Sequence, residues 1–354
     1  MGTKGRVADY DSIAAGYDRR YQLHAYAGVK DTLDAFLRGG AIVAVLEVGC
    51  GTGHWLAFLE AWLKPSPYED ALGRSAKASP TEDALGRSAK ASPTEDALDR
   101  SAKASPTEDA LGRSAKASPT EDALGRSAQA SPTEDALGLS AKASPPEDAL
   151  GRSAKALAER QLLAGVEPSA RMLARAKASA PHARLVRARA EALPWRDATF
   201  DRVFCVNALH HFADRARFFA EARRILAPGG ALLTIGKDPH AERDQWWVYD
   251  YFPQTDAIDR ERFARVRTLR GELTQAGFAW TESFEADRIE AVTPASEALA
   301  NGVVDRAYTS QLALLTDDEL DAGVKRIRDA NEAAGGQLDL VTDFRLFATV
   351  GRTL

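Results

Sequence analysis

Three groups of residues in this chain have the types and spacing that chemistry needs. The first is Val45-Leu46-Glu47-Val48-Gly49-Cys50-Gly51-Thr52-Gly53, an apolar run that ends with glycine at every second position. Glycines there let a ligand lie against the backbone, and the amino terminus of a helix following them can receive a carboxylate. The G-x-G-x-G spacing differs from the G-x-G-x-x-G of dehydrogenases, and no Lys-Ser/Thr follows as a phosphate loop requires, which demotes nicotinamide and nucleoside-triphosphate chemistry. The second group is Glu167, followed by Pro168-Ser169, at the end of another apolar run. An acid in that place can accept hydrogen bonds from both hydroxyls of a ribose. The third is the pair His210-His211, placed just after the apolar run 202–206, where an imidazole could take a proton from a nucleophile. Asp238 and His240 form a second, weaker pair of this kind.

These residues need a scaffold that brings strand ends together, and the hydrophobic pattern supplies one. Residues 41–48 predict a buried parallel strand, followed by the Gly loop and a helix through His54-Trp55-Leu56-Ala57-Phe58-Leu59. Further strands are predicted at 161–167, 183–186, 202–206, 231–235, 279–284 and 340–350, with helices at 170–178 and 215–226. Strands alternating with helices over short connections argue for a doubly wound α/β fold with a parallel sheet. In such a fold the Gly loop, Glu167 and the histidine pair all lie at carboxyl ends of strands.

One stretch does not fit this alternation. From Glu69 a 13-residue unit, Glu-Asp-Ala-Leu-Gly-Arg-Ser-Ala-Lys-Ala-Ser-Pro-Thr, restarts at Glu82, Glu95, Glu108, Glu121, Glu134 and Glu147 and stops short at Ala156. A typical copy offers one Leu, several Ala and no aromatic residue, too little apolar surface for a stacked solenoid, so 69–156 reads as a solvated low-complexity insertion. Each copy has a sound helix start, as in Ser79-Pro80-Thr81-Glu82, while a Gly in mid-unit and a Pro every 13 residues should keep the helices short. The spacing around it supports an intrusion. Glu167 lies 114 positions after Gly53, and without the 88 repeat residues the gap is 26, close to the roughly 20 expected between a Gly loop and a ribose-binding acid. Lengthening a helix-to-strand loop that much costs about 2 kcal/mol of closure entropy, which a stable core tolerates.

Composition bounds the partners. With 46 Lys+Arg against 51 Asp+Glu there is no basic field to gather nucleic acid or anionic lipid, so a small-molecule substrate is expected. Cys50 and Cys205 are far apart and lack the spacing of a zinc site or a disulfide framework, which suits a reducing cytoplasm. Six scattered histidines give no metal-ligand spacing, so no metal is expected. Met1 to Arg6 lacks the apolar core of a signal peptide, and no apolar run approaches the roughly 20 residues that span a bilayer.

At this point the chain resembles the class I S-adenosylmethionine-dependent methyltransferases, at five stations in the family's order. Leu46-Glu47-Val48-Gly49-Cys50-Gly51-Thr52-Gly53 is similar to the first motif and Val166-Glu167-Pro168-Ser169 to the ribose-binding acid. Ala190-Glu191-Ala192-Leu193-Pro194-Trp195 with Phe200-Asp201 resembles the adenine-side segment. Asn207-Ala208-Leu209-His210-His211-Phe212 resembles the segment that faces the donor, and Arg224-Ile225-Leu226-Ala227-Pro228-Gly229-Gly230 the turn before the fifth strand. The resemblance implies a Rossmann-like, seven-stranded, mostly parallel sheet with helices on both faces, split between 1–68 and 157–354.

It further implies S-adenosylmethionine as cofactor and in-line transfer of a methyl group to a small-molecule acceptor, a reaction in which positioning and water exclusion dominate. The methionine part of the donor is expected against Gly49, Gly51 and Gly53, with Glu47 ordering that pocket and Asn207 facing it. Glu167 is expected on the ribose, with Ala190 and Glu191 bordering the adenine. Arg189 stands where many relatives have an adenine-binding Asp, which favours backbone recognition and puts the Glu191 side chain in doubt. Tyr10 and Tyr17 resemble the amino-terminal cover of the donor. Substrate cover is expected at 238–263, with its aromatic run 246–253, and at 294–334, a helical lid containing Thr309-Ser310-Gln311-Leu312. Two other functions stay open: a donor-binding protein without turnover, and a repeat-mediated interaction protein on the same scaffold. The acceptor and the oligomeric state are not given by the sequence.

Overall fold

β1, Ala44–Val48, is buried at every residue, as a strand covered on both faces must be. In the computed structural model, which describes residues 8–38, 42, 44–63, 162–241 and 244–354, β1 lies inside the sheet. It pairs in parallel with β2, Leu162–Val166, from Ala44 opposite Leu162 to Val48 opposite Val166. On its other side lies β4, Phe200–Val206, again parallel. β3, Arg184–Val186, extends the sheet beyond β2, and β5, Leu226–Gly236, extends it beyond β4.

The carboxyl-terminal strands turn antiparallel. β8, Asp339–Arg352, pairs with β5 along one edge and with β7, Trp280–Pro294, along the other. Among the described residues the sheet has eight strands, not the expected seven, because Gln245–Trp246 forms a short strand, β6, against Asp343 and Thr342 of β8. Two residues of the expected cover at 238–263, Gln245 and Trp246, are therefore sheet, and its aromatic run packs into the core: Trp246, Trp247, Val248 and Phe252 are all buried.

Strand residues alternate between two cores, one on each face of the sheet. Val45, Phe204 and Leu233 belong to one, and Leu46, Val203 and Leu232 to the other. The helices that cover these faces start where the sequence provides caps. Ser169 caps α5, Ala170–Ser179, by accepting from Met172 N at 3.1 Å, and Asp214 caps α6, Arg215–Ile225, by accepting from Arg217 N at 2.9 Å.

At the amino end, α1 (Tyr10–Ile13), a 3-10 turn (Ala14–Gly16) and α2 (Arg19–Leu23) lead to α3, Ala27–Leu37, and α4, His54–Leu63, follows the Gly loop. After β6 come α7 (Trp247–Tyr251), α8 (Gln254–Arg262) and α9 (Val266–Gln275). The expected lid contains α10 (Ala295–Asn301), α11 (Ser310–Ala313) and α12 (Asp317–Ala333), the last opened by a reciprocal capping box of Thr316 and Glu319.

The chain divides into two units, 1–68 with 146–354, and 69–145. The second unit, and with it the expectation of a disordered or weakly helical insertion over 69–156, lies outside the described residues. Among the described residues no helix is long and apolar enough to cross a membrane, and no group of three or more His, Cys, Asp or Glu could hold a metal ion.

Candidate functional site

The carboxyl ends of β1, β2, β3 and β4 open into a cavity of about 470 Å³, roofed by the amino-terminal segment. Its walls include Tyr17, Glu47, Gly49, Gly51, Glu167, Ala190, Glu191, Asn207, His210 and His211, all singled out from the sequence. Gly53 is not among them. It has a φ of +82°, and a Cβ there would lie 2.9 Å from Ala176 Cα, so its bare backbone serves the packing of α4 on α5. Gly51 keeps an open face: only Tyr17, at 3.6 Å, would meet a side chain there.

Glu167 is fixed from both sides. One carboxylate oxygen accepts from Gly51 N at 3.0 Å and the other from Ser169 N at 2.9 Å, so the acid that follows β2 is held by the loop that follows β1. Burial raises its pKa and the two N–H donors oppose that shift. Glu47 is more deeply buried, at 1% exposure, with Oε2 unpartnered. Burial, then the nearby Glu167 charge, pushes its carboxyl well above the usual range, against a backbone hydrogen bond from Leu56. Two further polar atoms on this wall are sealed and unpartnered, both of them N–H donors: Nε1 of Trp55 and Nε of Arg20.

The adenine-side segment behaves differently from a simple lining. Oε1 of Glu191 accepts from Ala213 N at 2.7 Å and Asp214 N at 3.3 Å, so this oxygen braces the segment after β4. Asn207, the residue after β4, takes a φ of +51° while its N donates to Ile235 O at 2.7 Å. Asn is among the side-chain-bearing residues that adopt this left-handed geometry most readily, and it turns the chain sharply toward His210 and His211.

The two histidines join the donor cavity to a second one. A smaller cavity of about 60 Å³ is walled by Tyr26, Trp246, Phe263, Tyr308, Phe344 and the polar Thr309, Ser310 and Gln311. Arg20, Asn207, His210 and His211 line both. His210 stacks on Phe263 with centroids 3.9 Å apart and stands 3.5 Å from Ser310 Oγ, while His211 Nε2 is 2.5 Å from the Tyr10 hydroxyl. Burial first, then repulsion against a protonated neighbouring His211 and against Arg262, holds the His210 pKa well below the ordinary value. His211, whose edge opens to the cavity, is also held low, by the protein around it and then by Arg262 and Arg20. Both shifts run toward the neutral imidazole. The weaker pair lines none of these cavities: Asp238 accepts from His240 N and Val266 N, and His240 contacts Phe263 O at 3.1 Å.

Sequence reading missed Arg20, Tyr21, Trp55 and Met172 on the donor side and Lys237 on the acceptor side. Of these, Arg20 and Tyr21 had a usable signal, since they fall three and four positions after Tyr17 on the same short turn-helix segment. Of the aromatic run, only Trp246 lines either cavity.

Residues 149–234, spanning β2 to most of β5, match the family model of a methyltransferase domain. Over that segment the chain is similar to methyltransferase domains. The chain is 32% identical over 146 residues to the demethylmenaquinone methyltransferase of Thermus thermophilus, covering 41% of the chain and 61% of that protein. It is 54% identical over 110 residues to the ubiquinone/menaquinone biosynthesis C-methyltransferase UbiE of Acidiphilium cryptum, covering 25% of the chain and 43% of the relative. The similarity thus spans less than two thirds of either relative's length. A solved putative methyltransferase from Anabaena variabilis superposes with a TM-score of 0.39 at 23% identity, over 56% of this chain and 86% of that one.

Proposed function

We propose that this chain transfers a methyl group from S-adenosylmethionine to a small-molecule acceptor. The observation that carries the reading is Glu167, held by Gly51 N and Ser169 N on the floor of the 470 Å³ cavity, where an acid can take both hydroxyls of a ribose. The residues fit the donor. Gly49 and Gly51 give a bare backbone beside it, the segment 188–191 gives a flat border for a base, and the unpartnered Oε2 of Glu47 suits a cation. S-adenosylmethionine, when bound, supplies a methyl group already activated on a sulfonium.

The remaining work belongs to the chain. The amino-terminal segment keeps water from the cavity, and the wall shared by both cavities holds the acceptor in line. The neutral His210 and His211 accept hydrogen bonds from an O–H or N–H of the acceptor, with Tyr10 fixing the orientation of the His211 ring. The named relatives are a demethylmenaquinone methyltransferase and a C-methyltransferase of ubiquinone/menaquinone biosynthesis, and a flat acceptor suits the aromatic walls of the smaller cavity. The same reading places the protein in the cytoplasm, in keeping with two buried free cysteines. It also makes residues 69–156 an insertion between α4 and β2, supported by the uninterrupted pairing of β1 with β2 across that stretch.

Calorimetric titration with S-adenosylmethionine and S-adenosylhomocysteine tests the donor site. Micromolar binding is expected, weakened on the order of tenfold or more by Glu167→Ala. A folded protein that binds neither ligand would overturn the reading. A 69–156 deletion variant should bind the donor as the full chain does.

A further inference from the structure

We propose that the methyl acceptor carries an acidic hydroxyl, a phenol or an enol, and that Lys237 receives it as an oxyanion in the smaller cavity. The inference rests on the donor reading above and names the class of acceptor that the reading leaves open. Lys237 directly follows β5, at the carboxyl end of a strand and two residues after Ile235, which accepts from Asn207 N. It lines the smaller cavity together with His210, His211 and Ser310. Among the described residues that wall this cavity there is no Asp or Glu, so an acceptor amine entering as a cation would meet no counter-charge on the walls. An anion would meet Lys237.

The protein holds this ammonium in place without neutralising it closely. Nζ lies 4.0 Å from the Trp246 ring centroid, 4.5 Å from that of Phe344 and 4.6 Å from that of Tyr249. Rings on several sides favour a cation and exclude water, which strengthens its charge toward anything that enters. An ammonium has three N–H groups, and one of them donates to the Tyr249 hydroxyl at 3.1 Å. The ion pair with Asp244 is 3.6 Å long, beyond hydrogen-bond length, and Asp244 Oδ2 has no hydrogen-bond partner. Asp259, to which the Tyr249 hydroxyl donates in turn, is already taken by Arg262 at 2.7 Å and Gln311 at 2.8 Å. Trp246 and Phe344 wall the same cavity as Lys237, so the ammonium and two of its rings border one space.

The imidazoles beside Lys237 are poor substitutes as cations. Burial first, and then nearby positive charge, shifts both toward the neutral form, and Lys237 is among the charges that act on His210. Ser310 Oγ, 3.5 Å from His210 Nε2 and 3.3 Å from Gln311 Oε1, adds a hydroxyl that can turn toward an oxyanion. Lys237 thus supplies charge and Ser310 direction, while Tyr26, Phe263 and Tyr308 supply walls for a flat frame. A compact ammonium suits an anion centred on one oxygen, whereas a carboxylate is matched better by the planar fork of an arginine. An acidic hydroxyl beside Lys237 releases its proton to solvent on binding, because an opposite charge close by favours the ionised form. A neutral ring without such a hydroxyl gains nothing from that charge.

The test uses the full chain saturated with S-adenosylhomocysteine, at a pH where free 4-nitrophenol is half ionised, with absorbance and calorimetry as readouts. The bound dye should shift to its phenolate, and 4-nitrophenol should bind at least about tenfold more tightly than nitrobenzene or benzylamine. Lys237→Met should return the bound dye toward the phenol and reduce the preference to within about threefold. That variant leaves Asp244 unpaired, so Lys237→Met combined with Asp244→Asn, which removes both charges together, gives the same readouts if the single variant does not fold. The proposal falls if the bound dye is ionised no more than the free dye, if nitrobenzene or benzylamine binds as tightly as 4-nitrophenol, or if benzoate binds more tightly than it. It falls equally if none of these probes binds, or if the double variant keeps the preference in full. Any of those results with S-adenosylhomocysteine bound leaves the donor reading standing, whereas a folded wild type that does not bind S-adenosylhomocysteine removes both.

Discussion

Replacing Gly53 and Gly51 by alanine separates two roles that look alike in the sequence. Gly53 has a φ of +82°, and an alanine Cβ would stand 2.9 Å from Ala176 Cα and 3.1 Å from Ala176 O. The left-handed backbone costs about 1–2 kcal/mol for a side-chain-bearing residue, and forcing α5 away from α4 costs about 1–3 kcal/mol more. Gly53→Ala should therefore lose about 2–5 kcal/mol, which for a fold of this size lowers the melting temperature by roughly 4–20 °C. Gly51, with a φ of +54° and only Tyr17 at 3.6 Å, should lose about 1–2 kcal/mol from strain alone. Its Cβ, however, would project onto the cavity wall beneath Tyr17. Thermal melts combined with titration of S-adenosylhomocysteine well below the transition distinguish the two. Gly53→Ala should melt early yet bind within about threefold of wild type, and Gly51→Ala should melt later than Gly53→Ala and bind at least tenfold more weakly. A Gly53→Ala protein as stable as wild type that no longer binds would show that Gly53 touches the ligand and would refute the packing role.

Glu47 gives a pH test. Burial raises its carboxyl well above the usual range and so favours the protonated form in the free protein, and a cation on Oε2 would favour release of that proton. Donor affinity should then rise as pH rises from the ordinary carboxylate range toward the raised pKa and level off above it, with proton release visible as a buffer-dependent enthalpy. Glu47→Gln should abolish both effects, and a pH-independent wild type would sink the idea. The depressed pKa of His210 and His211 means that neither imidazole should take up a proton as pH falls through 6.5, which NMR titration of the ring carbons checks. Asp259, with 0% exposure, accepts from Tyr249, Arg262 and Gln311 at 2.7, 2.7 and 2.8 Å. Asp259→Ala leaves a buried arginine unpaired and should cost about 3–5 kcal/mol in a denaturant melt; a loss below about 1 kcal/mol would mean that the cluster relaxes.

How legible each element was depended on whether its pattern is local. β1, β2 and β4 are buried on both faces and read as apolar runs, so their places follow from composition alone. β7 was seen only as 279–284, yet it runs to Pro294. A register shift between Glu285 and Asp287 breaks its alternation, and the buried Ala286 and Ile289 beyond it are three apart, a helical spacing. β6 could not be read at all, because two residues carry no period and what makes them a strand is the edge of β8 that β5 leaves open.

The same distinction runs through the site. The donor half is built from loops that each follow one strand, so glycine spacing and one acid were enough to find it. The acceptor half draws its walls from 20–26, 207–211, 237–263, 308–311 and 344–346, and no spacing within any one of these segments marks it. Arg20 was missed for a physical reason of its own. Buried charges are usually recognised by their partners, and among the described residues its neighbours are phenols and not acids. A cation left without a counterion in a folded chain points to a ligand more strongly than a satisfied ion pair does, because burial costs several kcal/mol that the protein's own contacts do not return. The amino-terminal segment, tied to the donor loops at Asp11 and Asp18 and to the acceptor cover at Arg19 and His24, therefore belongs to both halves of the site and to neither one's local sequence pattern.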